Sequence, residues 1–249
     1  MIKIDALVQY TQQLLQVAHF KDYCPNGLQI EGRSEIRKIV TGVTANMALL
    51  EAAHEANADL ILVHHGYFWR HEDARILGAK RKRIAFLLKN DLNLMAYHLP
   101  LDAHPQLGNN VQLSEKLGLN LNGFAGENNI IAYGKLSHAV KLFEFAKHLE
   151  LVLKRAPLII GDPQKKLLNI AWCTGAAQNY IETAIELGVD LYISGEISEQ
   201  TVHHAVENDI AYIAAGHHAT ERYGVQALGE HLAEKFNLIH TFIDIPNPV

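Results

Sequence analysis

Ala58-Asp59-Leu60-Ile61-Leu62-Val63-His64-His65-Gly66 is the stretch that decides the fold. An apolar run leads straight into two adjacent histidines and then a glycine. A short apolar run bounded by turn signals reads as a buried strand, typical of a parallel sheet. In open α/β sheets, ligands collect just outside the carboxyl ends of such strands. The stretch therefore puts two imidazoles where an active site is expected. Taken alone, it equally suits one packed histidine and one turn histidine facing water.

Composition narrows the class. A chain of 249 residues, 49% hydrophobic and 20% charged, is an ordinary globular protein with room for one large or two smaller domains. No apolar run approaches the roughly 18 residues of a membrane span, and Met1-Ile2-Lys3-Ile4-Asp5 lacks the pattern of a signal peptide. Cys24 and Cys173 supply neither a disulfide framework nor a cysteine-rich zinc site, so a reduced, cytoplasmic protein is expected. A net charge of -5 argues against a dominant nucleic-acid role. The basic run Lys80-Arg81-Lys82-Arg83 reads as a solvated face, with attraction of an anion or nucleotide as the alternative. The anomaly is fifteen histidines, since imidazole is the commonest metal ligand.

Upstream of the opening stretch, Asp5 is placed as the cap of a first helix with Leu7, Tyr10, Leu14 and Val17 inward. Cys24-Pro25-Asn26-Gly27-Leu28-Gln29 reads as a turn. A strand from Ile36 to Val43 and a helix from Met47 to Ala56 complete a βαβ unit. Downstream, Tyr67, Phe68, Trp69, Arg70 and His71 form an aromatic, charged loop suited to a wall of the site. A helix with Ile84, Leu87 and Leu88 inward leads to a strand from Asn93 to Tyr97, which ends on His98-Leu99-Pro100-Leu101-Asp102. In the second half, a strand at Asn129 to Tyr133 precedes a helix capped by Ser137, and Leu151 to Ile160 reads as a strand. Later strands run from Leu167 to Cys173, Val189 to Ser194 and Ile210 to Ala215. The last of these leads into Gly216-His217-His218, and Thr220 opens a helix to about Phe236.

The halves resemble each other. Lys38-Ile39-Val40-Thr41-Gly42, a helix, and Ala58-Asp59-Leu60-Ile61-Leu62 are answered by Ala171-Trp172-Cys173-Thr174-Gly175, a helix, and Val189-Asp190-Leu191-Tyr192-Ile193. Lys89-Asn90-Asp91-Leu92 is answered by Glu207-Asn208-Asp209-Ile210. Each leads a strand that ends in a polar pair four apart, His98 with Asp102 and His217 with Glu221. The expected architecture is α/β, with two related βα modules packed together and mixed sheets flanked by helices. The modules are placed at residues 1–122 and 123–249, with the final helix and strand able to pack back on the first.

Three strand ends thus offer donors: His64 and His65, His98 with Asp102, and His217 with Glu221. Imidazoles and carboxylates without thiolates suit a divalent zinc, iron, manganese or nickel ion. A single catalytic zinc uses three protein ligands and a water. Five or six donors, two of them carboxylates able to bridge, fit a pair of ions with a bridging hydroxide, and that chemistry is hydrolysis. His98 is a ligand or an outer partner that orients a neighbour. Glu196 matches His65 in the repeat, so it is a candidate lining residue, and His218 is expected to diverge from His217. No Ser-His-Asp or reactive cysteine arrangement stands out.

Pro25-Asn26-Gly27-Leu28-Gln29, Leu62-Val63-His64-His65-Gly66, Tyr97-His98-Leu99-Pro100-Leu101-Asp102 and Gly216-His217-His218-Ala219-Thr220-Glu221 resemble the signatures of the Nif-three-like family. Its members are often labelled homologues of the type 2 GTP cyclohydrolase I, and the length resembles the short bacterial form. The resemblance implies a dinuclear metal centre with two divalent ions per chain, and a toroidal hexamer built as a trimer of dimers. Its metal ligands fall on His64, His65, Asp102, His217 and Glu221, with Glu221 a bridge; Glu221 and His98 are the candidates for a catalytic role. Many relatives have tyrosine where this chain has His218. The label implies cyclohydrolase activity on a nucleotide, yet no Walker-type phosphate loop is present. The competing expectations are a non-catalytic ring whose metals serve assembly, sensing or metal handling, and a ring that handles DNA.

Overall fold

A computed structural model describes residues 1–249. Its contacts divide the chain into Met1–Leu107 with Gly224–Ile245, and Gly108–Tyr223 with Pro246–Val249. The division falls before the Asn109–Leu117 helix rather than at residue 122. That helix buries Leu113 and Leu117 in the same core as Leu142, Phe145 and Trp172, and so belongs to the second unit.

The first unit is built on a five-stranded sheet in the order Ile239–Phe242, Lys38–Thr44, Leu60–His65, Asn93–Ala96, Gly27–Ile30. The first four strands are parallel and Gly27–Ile30 is antiparallel to its neighbour. Side chains alternate across a strand, so Ile61 and Val63 join the core with Leu49, Leu50, Ile84 and Leu87. Leu60 and Leu62 join the opposite core with Ile4, Leu7, Val225 and Leu228. Both faces are covered by helices, which is why the run has no polar alternation.

The second unit carries a six-stranded sheet in the order Asn120–Ala125, Ile131–Lys141, Lys166–Cys173, Leu191–Ser194, Ala211–Ala214, Leu158–Ile160. Its three central strands from Lys166 onward are parallel, and the flanking ones antiparallel. Both units run strand, helix, strand, helix, strand, one-turn helix in the same succession, from Lys38 to Asp102 and from Lys166 to Thr220.

The polar residues of the repeat have matching tasks. Asp59 Oδ2 accepts the backbone N–H groups of Arg37 and Lys38 at 2.8 and 3.0 Å. Asp190 Oδ2 accepts those of Leu168 and Asn169 at 2.9 and 2.8 Å. Each aspartate therefore pins the start of its strand to the start of the preceding one and sets the parallel register. Asn90 and Asn208 donate from their side chains to carbonyls four residues back, Phe86 and His204, closing their helices. The aspartates that follow, Asp91 and Asp209, take left-handed φ of 53° and 49°.

Several expected elements shift. Ser137 caps no helix; it lies inside the Ile131–Lys141 strand, which pairs on both sides, and the helix begins at Leu142. The helix buries Leu142, Phe145, Ala146, Leu149 and Leu153, and Leu151 is exposed on the last turn instead of starting a strand. Only Leu158–Ile160 of that expected strand forms. Leu88 is 60% exposed, not inward. Lys3, not Asp5, precedes the first helix, and Asp5 sits in its first turn. No helix is long and apolar enough to cross a membrane.

Asp59→Ala removes an acceptor from two backbone amides and from Arg33 Nη1 at 2.9 Å. Leaving those donors without their carboxylate should destabilise the fold by about 1–3 kcal/mol, read as a lower denaturant midpoint.

Candidate metal centre

In the first unit the parallel strands deliver their polar ends to one edge. His64 is fully buried, and its Nδ1 lies 2.9 Å from the carbonyl oxygen of Tyr97. A carbonyl only accepts, so Nδ1 carries a proton, and in the neutral ring Nε2 is the lone-pair nitrogen. That Nε2 lies 3.5 Å from Asp102 Oδ1. Asp102 is itself buried, at the end of the one-turn helix Leu99–Asp102, whose Leu101 and Asp102 amides both donate to the His98 carbonyl. His65 is half-buried with Nδ1 3.3 Å from Thr44 Oγ1. His98 has its Nδ1 2.8 Å from Asp22 Oδ1. One ring nitrogen from each of His64, His65 and His98 lies within 4.8 Å of the other two.

The segment Cys24–Gln29, expected to be a turn throughout, enters the Gly27–Ile30 strand and is a brace for this edge, a role its Asn-Gly signal did not reveal. Asn26 Oδ1 accepts the His98 backbone N–H at 2.7 Å. Gln29 Oε1 accepts the Tyr67 N–H at 2.7 Å while its amide nitrogen donates to the Pro25 and Tyr67 carbonyls. A Cβ on Gly66 would lie 2.2 Å from Gln29 Oε1, so only glycine leaves room for that contact. Of the aromatic loop, Trp69 reaches the histidines, with ring centroids 5.9 Å from His65 and 5.1 Å from His98. Phe68 instead packs under Lys80 Nζ, 5.2 Å from its ring centroid, and Arg70 and His71 are exposed. Lys80 is also held by Glu72 at 3.4 Å, so the basic run begins with a cation already partnered.

In the second unit, His217 opens the one-turn helix His217–Thr220 and Glu221 follows it. His217 Nδ1 lies 2.7 Å from Glu196 Oε1, and Nε2 lies 3.1 Å from Glu221 Oε2. Glu196, matched to His65 by the repeat, is thus placed against the far nitrogen of His217. Thr220 Oγ1 accepts the Gly175 N–H at 3.1 Å and donates to the Gly216 carbonyl. Gly175, at φ +70°, lies so close that a Cβ would stand 2.1 Å from Glu221 Oε1 and 3.2 Å from His217 Nε2. In the sequence Gly175 stands out only as a repeat marker; its place beside the carboxylate depends on where the strand ends meet. His218 turns its backbone N–H to the Val249 carbonyl.

Burial pulls the His217 imidazole toward neutrality, but the bonds and charges of Glu221 and Glu196 outweigh it and raise its pKa to about 9. Burial, with the Asp22 charge adding to it, pushes the Cys24 thiol up to about 12, which removes it as a nucleophile. Cys173 is likewise buried and forms no disulfide.

The donors fit a divalent ion. Metal-bound histidines engage their second nitrogen with an acceptor that fixes the tautomer, and His64, His98 and His217 do so through a carbonyl or carboxylate. Two donors about 2.0–2.2 Å from one tetrahedral ion lie roughly 3.3–3.5 Å apart. The spacings of 3.5 Å for His64 with Asp102 and 3.1 Å for His217 with Glu221 are near that value. Groups of histidines and carboxylates able to bind metal ions are therefore present in the chain.

The model of the Duf34/NIF3 (NGG1p interacting factor 3) family matches residues 2–248. The chain belongs to that family. It is 53% identical over 250 residues to a Pseudomonas aeruginosa protein named GTP cyclohydrolase 1 type 2 homolog, with 99% of each chain covered. Among solved structures it is similar to the structural-genomics protein ybgI, of unknown function, at 49% identity and a TM-score of 0.96 over all of both chains. It is also similar to TTHA1606 from Thermus thermophilus, at 31% identity and a TM-score of 0.90, again over all of both chains.

The raised pKa of His217 makes a signed prediction for the metal-free protein. The folded value of about 9 lies above the ordinary 6.5, so the charged His217 stabilises the fold fully below pH 6.5. That contribution disappears as pH rises through 9. Thermal unfolding should show the melting temperature declining across this window, and His217→Asn should flatten the decline. Gly175→Ala should displace the Glu221 carboxylate, read as weaker metal binding in a fold of unchanged circular dichroism.

Proposed function

We propose that this chain holds two divalent ions and uses them in hydrolysis of a small nitrogen-containing or nucleotide-like molecule. His64, His65, Asp102, His217 and Glu221 would be the ligands in this reading, as the family resemblance implies. The observation that carries it is the locking of the imidazoles from behind: acceptors on Nδ1 reserve Nε2 for a cation. Five donors exceed the three protein ligands of a single catalytic zinc, which favours two ions. Such a pair supplies an activated water near neutral pH and polarises an acceptor oxygen.

The chain's own residues would do the rest. The Tyr97 carbonyl keeps His64 in the tautomer that donates a lone pair, and Glu196 holds the Nδ1–H of His217, whose Nε2 proton a cation would displace. Asp102, buried beside His64, brings a negative charge that offsets the cation, as Glu221 does beside His217. Trp69, packed against His65 and His98, excludes water from one side. The cyclohydrolase name of the relatives supports a nucleotide as the molecule acted on, and a toroidal homo-hexamer rests on the family resemblance. Mass measurement of the native protein tests the assembly.

Metal analysis of purified protein is expected to give two ions per chain, falling in His64→Ala. Glu196→Gln keeps the hydrogen bond but removes its charge, and should weaken metal binding about 10–100-fold. One ion or none in the wild type would sink the dinuclear reading. Undiminished turnover of a confirmed substrate by Glu221→Gln would sink the hydrolytic one.

A further inference from the structure

Asp22 belongs to no motif in the sequence, yet its side chain is 3% exposed and lies against His98. Three N–H donors and one ring nitrogen of His98 converge on its two oxygens. Oδ1 accepts the Tyr23 backbone N–H at 2.6 Å and faces His98 Nδ1 at 2.8 Å. Oδ2 accepts from Asn26 Nδ2 at 2.8 Å and from the Leu99 backbone N–H at 3.0 Å. A carboxylate surrounded in this way acts only as an acceptor, so His98 must present N–H at Nδ1. We infer that Asp22 is a positioning residue that holds His98 in the Nδ1–H tautomer and keeps Nε2 as a lone-pair acceptor beside His64 and His65.

Three observations fix the ring as well as the proton. The Leu99 amide and the His98 amide are held by Asp22 and Asn26, so the backbone on which the imidazole hangs is tied to the same two side chains. Trp69 stands edge-on to the ring at 5.1 Å, and the Tyr23 ring, also inclined to it, lies at 6.4 Å. The ring lies 5.0 Å from His64 and 5.7 Å from His65. With Nδ1 committed to Asp22, Nε2 is the only nitrogen left to that cluster.

Asp22, Cys24 and His98 also sit within metal-binding distance of one another. A cation there is disfavoured, because both Asp22 oxygens are already saturated by donors and the Cys24 thiol holds its proton up to about 12. The carboxylate serves His98 instead. Its consequence is an acceptor of fixed direction, which receives a hydrogen bond from a water or from an N–H or O–H of a bound molecule. That last use rests on the proposed metal-centre function; the tautomer does not.

The test is nitrogen-15 NMR of histidine-labelled, metal-free full-length protein above the ordinary imidazole titration range, with the His98 signals assigned by their loss in His98→Gln. The expected wild-type pattern is a protonated, pyrrole-type Nδ1 and a pyridine-type Nε2. Asp22→Asn places an N–H donor among these groups and should move His98 toward the Nε2–H form. Asn26→Ala loosens the same loop but leaves the carboxylate, and should keep the Nδ1–H form. A wild-type proton on Nε2 overturns the inference. So does a folded Asp22→Asn protein with unchanged signals, or an Asn26→Ala protein that shifts as Asp22→Asn does. If Asp22→Asn does not fold, the wild-type and Asn26→Ala spectra decide. Absence of metal in a parallel analysis would remove the proposed function and leave the tautomer standing.

Discussion

The hydrogen bond on the back of each imidazole is the interaction on which the site depends. A histidine at a strand end has two nitrogens and a rotatable ring, and left alone it would sample both tautomers. The Tyr97 carbonyl, the Asp22 carboxylate and the Glu196 carboxylate each remove that freedom from one ring. Hydrogen bonds to charged groups contribute more than neutral ones, about 1.5–3 kcal/mol. Asp22 and Glu196 are therefore strong anchors for half-buried rings. The neutral carbonyl suffices for His64, which is fully buried in the core.

Those anchors work because the strands that carry them are held in register. Asp59 and Asp190 grip the amides at the start of the neighbouring strand, at the opposite end from the edge where polar side chains gather. A slip of one residue would turn His64 from the buried edge to the opposite face. The helix-closing asparagines Asn90 and Asn208 then aim the following strands, and these end at His98 and His217. Register at one end of the sheet thus becomes the spacing of imidazole and carboxylate donors at the other.

Much of this is legible in the sequence because it is local or periodic. The Leu60–Val63 run reads as a strand buried on both faces, and the repeat alone pairs Asp59 with Asp190 and Asn90 with Asn208. Elements at sheet margins are less legible. Ser137 has the chemistry of a helix cap, but pairing on both sides of Ile131–Lys141 overrides it. Leu151 looks like a strand residue only until the helical burial of Leu149 and Leu153 around it is seen. Asp22 and the tight fit of Gly175 are invisible, because each acts through a neighbour distant in sequence: Asp22 through His98, and Gly175 through Glu221. The brace formed by Asn26 and Gln29 is hidden in the same way behind an ordinary turn signal.

X-ray absorption at the metal edge of the metal-loaded protein tests the proposed two-ion centre most directly. The expected result is a first shell of nitrogen and oxygen only, with imidazole scattering and a metal–metal vector about 3.5–4 Å long. A sulfur shell, or a nitrogen and oxygen shell without a second metal, would contradict it.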